Sequence, residues 1–322
     1  MRHPLALCLC ALLISYPAFA GDFDESLTIK RWISSWVLDG GIEKDWLSRQ
    51  MLDAQRQPRA LELFQRQFED KPWFEYRRIF DTQERGLEGA NFWREHEAAL
   101  TQAEIDYGVP AAIIVAIIGV ETRYGQRVGS FPVLDTLLTL ATEHPTRQEF
   151  FSAELDHFVK LTWDQRLEAA TLLGSYAGAM GIPQFMPSSF RAYAVDFDGD
   201  GTTDIWNSPA DAIGSVAAYL KRNGWRQGEP IVTQAQLRMP VPMSKGLKRD
   251  RTLAELREQG VEFAIVDGDQ TRALLFQLEG PDGTEYHVGL NNFYVLTRYN
   301  RSTLYAMAVE RLAQRIQRAK LQ

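Results

Sequence analysis

The chain has little cysteine, and both cysteines lie at its beginning. Cys8 and Cys10 fall within the first twenty residues, and no cysteine follows them. The rest of the chain therefore offers neither a disulfide bond nor a thiol nucleophile. Internal repeats and low-complexity tracts are also missing, which excludes solenoid and low-complexity architectures.

The signatures of several common chemistries are missing as well. The sequence has no phosphate-binding loop, no dinucleotide-binding fingerprint and no Gly-x-Ser-x-Gly elbow. Its histidines beyond residue 20 do not have a zinc-binding spacing; they are His96, His144, His157 and His287. The formal net charge of −7 argues against a nucleic-acid-binding protein, which usually carries a basic face. The chemistry that is left is acid/base catalysis by carboxyl groups.

The first twenty residues have the features of a secretory signal peptide. Arg2 and His3 precede an apolar run at 5–14, and Ala-Phe-Ala at 18–20 fits a small-x-small cleavage site. The run is too short to span a bilayer, and neither cysteine follows the small residue of a lipoprotein signal. We therefore predict cleavage near Ala20 and an exported, soluble protein that is not lipid-anchored.

Residues 109–120 contain no charged or polar side chain, and a proline at 110 suits the first turn of a helix. This density of apolar residues predicts a buried helix, with Glu121 as a carboxyl group at its end. Burial disfavours the charged form and raises the pKa, and a carboxyl protonated near neutral pH can act as a general acid. The alternative is an ordinary helix-end glutamate paired with Arg123 or another surface base.

Residues 174–190 hold three glycines and two prolines, which excludes a regular helix. Glycines let a backbone approach a ligand closely, and the amide of Gln184 offers both a donor and an acceptor. The segment is predicted to be a binding loop. A purely structural Gly/Pro connection is the alternative.

Residues 196–204 match the first nine positions of an EF-hand loop. Carboxylates stand at places 1, 3, 5 and 9, glycine stands at place 6, and Thr202 would offer its backbone carbonyl at place 7. The twelfth place is Asn207 and not the usual glutamate, although Asp211 could close a longer loop. We predict a structural calcium site. The alternative is a metal-free acidic turn that caps the helix after Pro209.

Helical spacing of apolar residues dominates the remainder of the chain. It predicts a mostly helical region up to about residue 108, and further helices at 133–141, 149–161, 211–223 and 303–319. Short apolar runs of strand type occur at 230–232, 263–266, 273–278 and 286–289, with a turn at 280–283 and a helix at 253–259. The predicted fold class is α+β, mostly α, with a small strand-rich insert.

Four motifs occur together in one order. They are Gly-Val-Glu-Thr-Arg-Tyr-Gly at 119–125, the Gly-rich loop at 178–187, the Asp-rich loop at 196–204 and Thr-Arg-Tyr-Asn at 297–300. In this combination the chain resembles the lytic murein transglycosylase B family over nearly all of its length. The resemblance implies a lysozyme-like catalytic core and cleavage of the glycan strands of peptidoglycan. The implied division is an N-terminal helical region at 21–108, a catalytic core at 109–228 with the EF-hand-like loop at 196–211, a small β-containing domain at 229–291, and a return to the core with a C-terminal helix at 292–322.

The resemblance also implies the functional residues. Glu121 would be the single catalytic acid/base. The implied substrate-binding residues are Ser175, Gln184, Phe185, Met186, Tyr76, Tyr219, Tyr299 and Tyr305. The implied calcium ligands are Asp196, Asp198, Asp200, Thr202 and Asp211, although one residue more than the family pattern precedes Asp211. Tyrosines suit a sugar groove because each has an aromatic face and a hydroxyl group.

One carboxyl group without a partner predicts the product. Near Glu121 the sequence has no second carboxylate with motif support, and a helix-start role suits the nearest candidate, Asp135. We therefore expect a lytic transglycosylase that forms 1,6-anhydromuramoyl ends, with no organic cofactor, no nucleic-acid partner and no membrane-spanning helix. Two alternatives stay open: a hydrolytic muramidase with the same fold, and a non-catalytic peptidoglycan-binding protein.

Overall fold

The computed structural model describes residues 22–23, 26–51, 53–64, 71–264 and 268–322. The predicted signal peptide lies outside these ranges. The described helices are α1 Leu27–Leu38, α2 Lys44–Met51, α3 Pro58–Phe64, α4 Trp73–Phe80, α5 Gln83–Glu95, α6 Glu97–Tyr107, α7 Ala111–Thr122, α8 Val133–Glu143, α9 Gln148–Asp164, α10 Pro187–Tyr193, α11 Pro209–Arg222, α12 Leu253–Glu258, α13 Asn291–Tyr299 and α14 Thr303–Lys320. The described strands are β1 Phe131–Pro132, β2 Leu173–Gly174, β3 Val232–Leu237, β4 Arg251–Thr252, β5 Val261–Phe263, β6 Arg272–Gly280 and β7 Gly283–Gly289. The fold class predicted from the sequence is confirmed.

Helix α7 lies at the centre of the main core, as its apolar sequence predicts. Every residue from 111 to 119 is buried, because α5, α6, α11 and α14 pack around the helix. A helix that is apolar on all of its faces needs such an enclosure. At its start, the carboxylate of Glu104 accepts the backbone N–H of Ala111 at 3.1 Å, which satisfies one of the free amides of the first turn.

A tight reversal ends α7 directly after Thr122, the residue that follows Glu121. Arg123 and Tyr124 have φ angles of 49° and 61°, in the left-handed region that side chains other than glycine rarely adopt. The hydroxyl of Thr122 donates to the carbonyl of Ile182 at 2.9 Å and accepts the amide of Gly125 at 3.0 Å. These bonds hold the reversal against the loop that contains Gln184.

The side chain of Tyr124 folds back onto α7, and this requires a glycine at position 119. The ring lies where a Cβ at Gly119 would be, within 2.6 Å of that position. The hydroxyl of Tyr124 donates to the carbonyl of Arg85 at 2.6 Å, and the Arg85 guanidinium donates to the carbonyl of Gly119 at 2.5 Å. Helix α5, helix α7 and the reversal are therefore locked to one another beside Glu121.

The five-stranded antiparallel sheet has the strand order β4-β6-β7-β3-β5. All of its strands lie inside the segment 229–291, and the predicted turn at 280–283 joins β6 and β7 in a hairpin that ends with Gly280 opposite Gly283. Strand β3 begins two residues later than the predicted run and extends to Leu237. Strand β5 ends at Phe263, and the last residues of its predicted run, 265–266, lie outside the described residues.

Strand β6 is buried on both of its faces. Leu274, Phe276 and Leu278 point into the main core, whereas Ala273 and Leu275 point into a smaller core between the sheet and α12. The alternation follows from the two-residue period of a strand. Strand β6 consequently joins the sheet to the helices of the main core.

The described residues contain no single helix that combines the length and the apolarity needed to cross a bilayer. Helices α6 and α7 reach the required length and composition only as a pair, and the chain bends by 115° between them.

We predict that Gly119→Ala destabilises the protein by roughly 2 kcal/mol, because the added methyl group must displace the ring of Tyr124 in a close-packed site. The free energy of unfolding in urea measures the effect. Gly268→Ala is the control, since nothing lies within 4 Å of a Cβ at that position. Equal stabilities of the two variants would contradict the proposed packing constraint.

Candidate active site

Glu121 lies in the last turn of α7 and is partly exposed to a cleft of about 460 Å³. The end of α7 and the junction of α4 and α5 form the two walls of this cleft. Its lining residues are Arg78, Ile79, Phe80, Thr82, Glu84, Arg85, Val120, Glu121, Thr122, Arg123 and Arg127. The carboxyl group predicted from the sequence therefore borders a space that is open to a ligand.

Among the described residues, one side chain forms a hydrogen bond with the carboxyl group of Glu121. The hydroxyl of Tyr305, on α14, donates to Oε1 of Glu121 over 2.6 Å. Burial raises the pKa of Glu121 to about 7, and the hydrogen bond from Tyr305 opposes this rise because it favours the carboxylate. Near neutral pH this group can both give and take a proton, which is what a general acid/base requires.

The alternative of a helix-end glutamate paired with Arg123 is wrong. The guanidinium of Arg123 points to α5 instead, where it binds Glu84 at 2.5 Å and Glu88 through both Nε and Nη2. The pKa of Glu121 is accordingly set by burial and by Tyr305, and neither influence is a second carboxyl group. Asp135 lies in the first turn of α8, where its carboxylate accepts a hydrogen bond from Gln57 at 3.3 Å, as expected of a structural residue.

Three of the tyrosines singled out in the sequence form a cluster behind Glu121. The rings of Tyr299 and Tyr305 are parallel at 6.3 Å, and those of Tyr219 and Tyr299 meet edge to face at 4.7 Å. The hydroxyl of Tyr299 donates to the carbonyl of Pro183 at 2.6 Å, and that of Tyr219 donates to the carbonyl of Arg298, also at 2.6 Å. Burial raises the pKa of all three hydroxyl groups, so they remain neutral donors.

The Gly-rich segment forms the loop that the sequence predicts. Gln184 adopts a left-handed φ of 53°, and its amide donates to the carbonyls of Val128 and Gly181 at 3.0 and 2.9 Å. The hydroxyl oxygen of Ser175 accepts the amides of Ala177 and Ala179 at 3.3 and 3.1 Å. Ser175 and Gln184 are both partly exposed.

The other predicted substrate-binding residues have different surroundings. Phe185 is only 2% exposed and packs against Tyr219 and Tyr299, so its ring belongs to the core beneath the loop. Met186 is partly exposed and precedes α10 as its N-cap residue. Tyr76 on α4 stands between Trp73 and Phe80 and is close enough to Tyr305 to influence its pKa. Of these predicted residues, Tyr305 is the one whose side chain forms a hydrogen bond with the carboxyl group of Glu121 in the described chain.

The sequence did not indicate three of the four arginines that line the cleft, Arg78, Arg85 and Arg127. Arg127 lies two residues after the motif at 119–125, and this proximity was the only feature of the sequence that pointed to it. Arg78 comes from α4, which packs on α14, and Arg85 comes from α5, which packs on α7. Contacts between different helices thus bring both arginines to the cleft beside Glu121. No spacing rule within one segment could have found them.

The acidic loop brings three of the predicted calcium ligands together. Carboxylate oxygens of Asp196, Asp198 and Asp211 all lie within 4.8 Å of one another. Asp211 is buried and accepts the amides of Phe197 and Asp204, each at 2.7 Å, so it orders the loop from its far side. Carboxylate oxygens in such a cluster are the donors that a hard cation such as calcium prefers.

The other two predicted ligands, Asp200 and Thr202, form a hydrogen bond with each other. The carboxylate of Asp200 accepts the amide of Thr202 at 2.8 Å, and these two residues are not part of the three-carboxylate cluster. The N-cap of α11 is not a carboxylate of the acidic turn: the hydroxyl of Ser208 accepts the amide of Asp211 at 3.2 Å and so caps the helix.

Comparisons with known proteins agree with this architecture. A family model described as the transglycosylase SLT domain matches residues 28–314. The membrane-bound lytic murein transglycosylase B of Escherichia coli strain K12 is 40% identical over 312 residues, which cover 94% of this chain and 86% of that protein.

Two solved structures have closely similar folds. The catenated lytic transglycosylase SltB1 of Pseudomonas aeruginosa matches with a TM-score of 0.89 and 46% identity, over 93% of this chain and 100% of that one. The lytic transglycosylase Slt35 of Escherichia coli, solved in complex with calcium, matches with a TM-score of 0.88 and 40% identity, over 95% of this chain and 97% of that one. With these identities over nearly the whole chain, the protein belongs to the transglycosylase SLT domain family and, within it, to the lytic murein transglycosylases of type B.

Proposed function

We propose that this protein is a lytic transglycosylase that cleaves the β-1,4 bond between N-acetylmuramic acid and N-acetylglucosamine in peptidoglycan, and that it leaves 1,6-anhydromuramoyl ends. The observation that carries the proposal is the carboxyl group of Glu121, with a pKa of about 7 and a hydrogen bond from Tyr305, at the edge of a ligand-sized cleft. The activity of the family to which the chain belongs supports the same conclusion.

Glu121 can perform both proton transfers of this reaction. In its protonated form it gives its proton to the glycosidic oxygen, and the bond from this oxygen to C1 of N-acetylmuramic acid breaks. The 2-acetamido oxygen of the same sugar stabilises the positive charge that develops at C1, as in the substrate-assisted glycosidases. Glu121, now ionised, removes the proton from the C6 hydroxyl of that sugar while the hydroxyl oxygen attacks C1.

An internal hydroxyl has a large advantage over water as the nucleophile. Effective molarities of well-oriented intramolecular reactions reach about 10⁵–10⁸ M. One carboxyl group is sufficient for this route, because the substrate itself supplies the nucleophile. The residues around Glu121 need only hold the sugar in place and keep the carboxyl group at a suitable pKa.

Within this proposal, the predicted substrate-binding residues have two kinds of role. Ser175, Gln184, Met186 and Tyr76 are partly exposed, and we assign them to contacts with the glycan strand. The buried aromatic residues would instead shape and support the floor of the site; they are Phe185, Tyr219, Tyr299 and Tyr305, of which Tyr299 retains partial exposure. Tyr305 would also set the pKa of Glu121.

The proposal includes the place and the organisation of the enzyme. Export to the periplasm with cleavage near Ala20 would bring the protein to its peptidoglycan substrate. We further propose the four-part division of the mature chain at residues 108, 228 and 291, with the catalytic core in the second part. A calcium ion held by Asp196, Asp198 and Asp211, together with oxygens of Asp200 and Thr202, would stabilise the loop before α11.

We expect digestion of peptidoglycan in ¹⁸O-labelled water to give unlabelled 1,6-anhydromuramoyl products, one water lighter than the products of hydrolysis. Mass spectrometry of the digest distinguishes the two reactions, since attack by water would place the label at a new reducing end. Labelled reducing muramic acid as the main product would identify the protein as a muramidase.

The matched control for this digestion is Glu121→Gln. The amide has nearly the shape of the acid but cannot transfer the proton, so turnover is expected to fall by at least about 100-fold. Binding of the variant to glycan strands and its circular dichroism spectrum should stay unchanged. Substantial turnover by the folded variant would remove Glu121 from the mechanism.

We predict that kcat/KM falls about tenfold per pH unit above pH 7, because the general acid must be protonated. The hydrogen bond from Tyr305 lowers the pKa of Glu121, so Tyr305→Phe should raise this pKa and move the alkaline limb of the profile to higher pH. Tyr219→Phe is the control, because that hydroxyl donates to the carbonyl of Arg298. A limb that moves to lower pH in Tyr305→Phe would contradict the assigned role.

We predict that about 10 mM calcium raises the melting temperature of chelator-treated protein, because a ligand that binds only the native state stabilises it by mass action. At about 100 times the Kd this amounts to roughly 2.7 kcal/mol. Asp198→Asn should remove most of the shift. Asp282→Asn, an exposed substitution in the turn between β6 and β7, should retain it. Equal calcium shifts in the two variants would show that the ion binds elsewhere.

A further inference from the structure

The cleft beside Glu121 has more positive charge than the proposed chemistry uses. Four of its lining residues are arginines, namely Arg78, Arg85, Arg123 and Arg127, and its acidic lining residues are Glu84 and Glu121. Glu121 is largely protonated below its raised pKa, so it adds little negative charge there. The partners of each arginine show which charges remain available to a ligand.

Two of the four arginines are committed to the fold. Arg123 pairs with Glu84 and Glu88 on α5. Arg85 is buried, donates to the carbonyl of Gly119, and places its guanidinium against the rings of Phe80 and Tyr124 at 5.8 and 5.6 Å. Burial is the main cause that lowers the pKa of Arg85, and the nearby charges of Arg123 and Arg127 lower it further.

The other two arginines are free to act on a ligand. Arg78 and Arg127 are exposed, and the described part of the chain supplies no acidic partner to either side chain. Both line the cleft, and they come from different elements, Arg78 from α4 and Arg127 from the segment after α7. Two unpaired guanidinium groups at one cleft form an anion-attracting site, since guanidinium groups pair with carboxylates in a planar, bidentate geometry.

These charges do not serve the carboxyl group of Glu121. An arginine positioned to stabilise the carboxylate would lower the pKa of Glu121, whereas the two influences on that pKa are burial and Tyr305. The positive charge is thus directed at something other than the proton-transfer group. In a cleft that begins at Glu121, the remaining candidate is a part of the substrate that extends beyond the cleaved bond.

We propose that Arg78 and Arg127 bind a carboxylate of the peptide stem that the muramic acid residue carries. The proposal rests on the proposed function, because peptidoglycan must be the substrate. The sugar rings of the glycan strand carry neutral hydroxyl and acetamido groups, and the lactyl carboxyl is consumed by its amide bond to the peptide. The free carboxylates of peptidoglycan therefore belong to the peptide stem, and a cationic pair beside Glu121 would select glycan strands that still carry their stems.

The test compares the double variant Arg78→Gln/Arg127→Gln with the unaltered enzyme on two substrates. One is peptide-bearing glycan strands, and the other is the same strands after an amidase has removed the stems. We expect the variant to raise KM for peptide-bearing strands roughly tenfold, the size typical of a lost charge-assisted pair. The values of kcat on both substrates and KM for the stripped strands should stay within about twofold.

The control is Arg31→Gln, an equal loss of charge at an exposed position on α1. It should leave KM unchanged on both substrates. If the double variant raised KM equally on both substrates, or on neither, the peptide-binding role of the pair would be overturned. Failure of the unaltered enzyme to release anhydromuramoyl products from either substrate would instead overturn the proposed function, so the two failures are distinguishable.

Discussion

The hydrogen bond between Tyr305 and Glu121 joins two residues that are 184 positions apart in the chain, and the site depends on it. A wholly apolar helix is stable when other helices enclose it. A carboxyl group in the last turn of such a helix, however, loses much of its hydration. The hydroxyl of Tyr305 donates a hydrogen bond to this carboxyl group in place of water, while burial keeps the pKa of Glu121 high. Because α14 carries that donor, the end of the chain must dock on α7 before the carboxyl group has its final properties.

The close approach of Tyr124 to Gly119 also fixes the end of α7 that carries Glu121. The ring fills the space that a side chain would take, and its hydroxyl ties the reversal to α5. The ion pair between Arg123 and Glu88 also ties the reversal to α5. Glu121 is therefore held at a fixed place by contacts in which its own carboxyl group takes no part. A group that transfers protons needs such positioning by its surroundings.

Much of this architecture could be predicted from the sequence, and the reasons differ between its parts. Helix α7 and the place of Glu121 follow from a long apolar run that has few stable alternatives, and the hairpin at 280–283 follows from local turn chemistry. The partners of Arg123 could not be predicted, because Glu84 and Glu88 lie 39 and 35 residues away on another helix. The burial of Phe185 likewise depends on three-dimensional packing, since an aromatic ring in a Gly-rich loop fits a groove and a core equally well.

The two buried faces of β6 have a consequence for how the molecule loses its structure. Leu274 and Phe276 contribute to the core around α7, while Leu275 contributes to the small core under the sheet. Detaching the sheet would expose apolar surface on both sides of one strand, so partial unfolding of this segment is energetically coupled to the helices. The structure therefore predicts that the strand-rich segment and the helices around α7 unfold together.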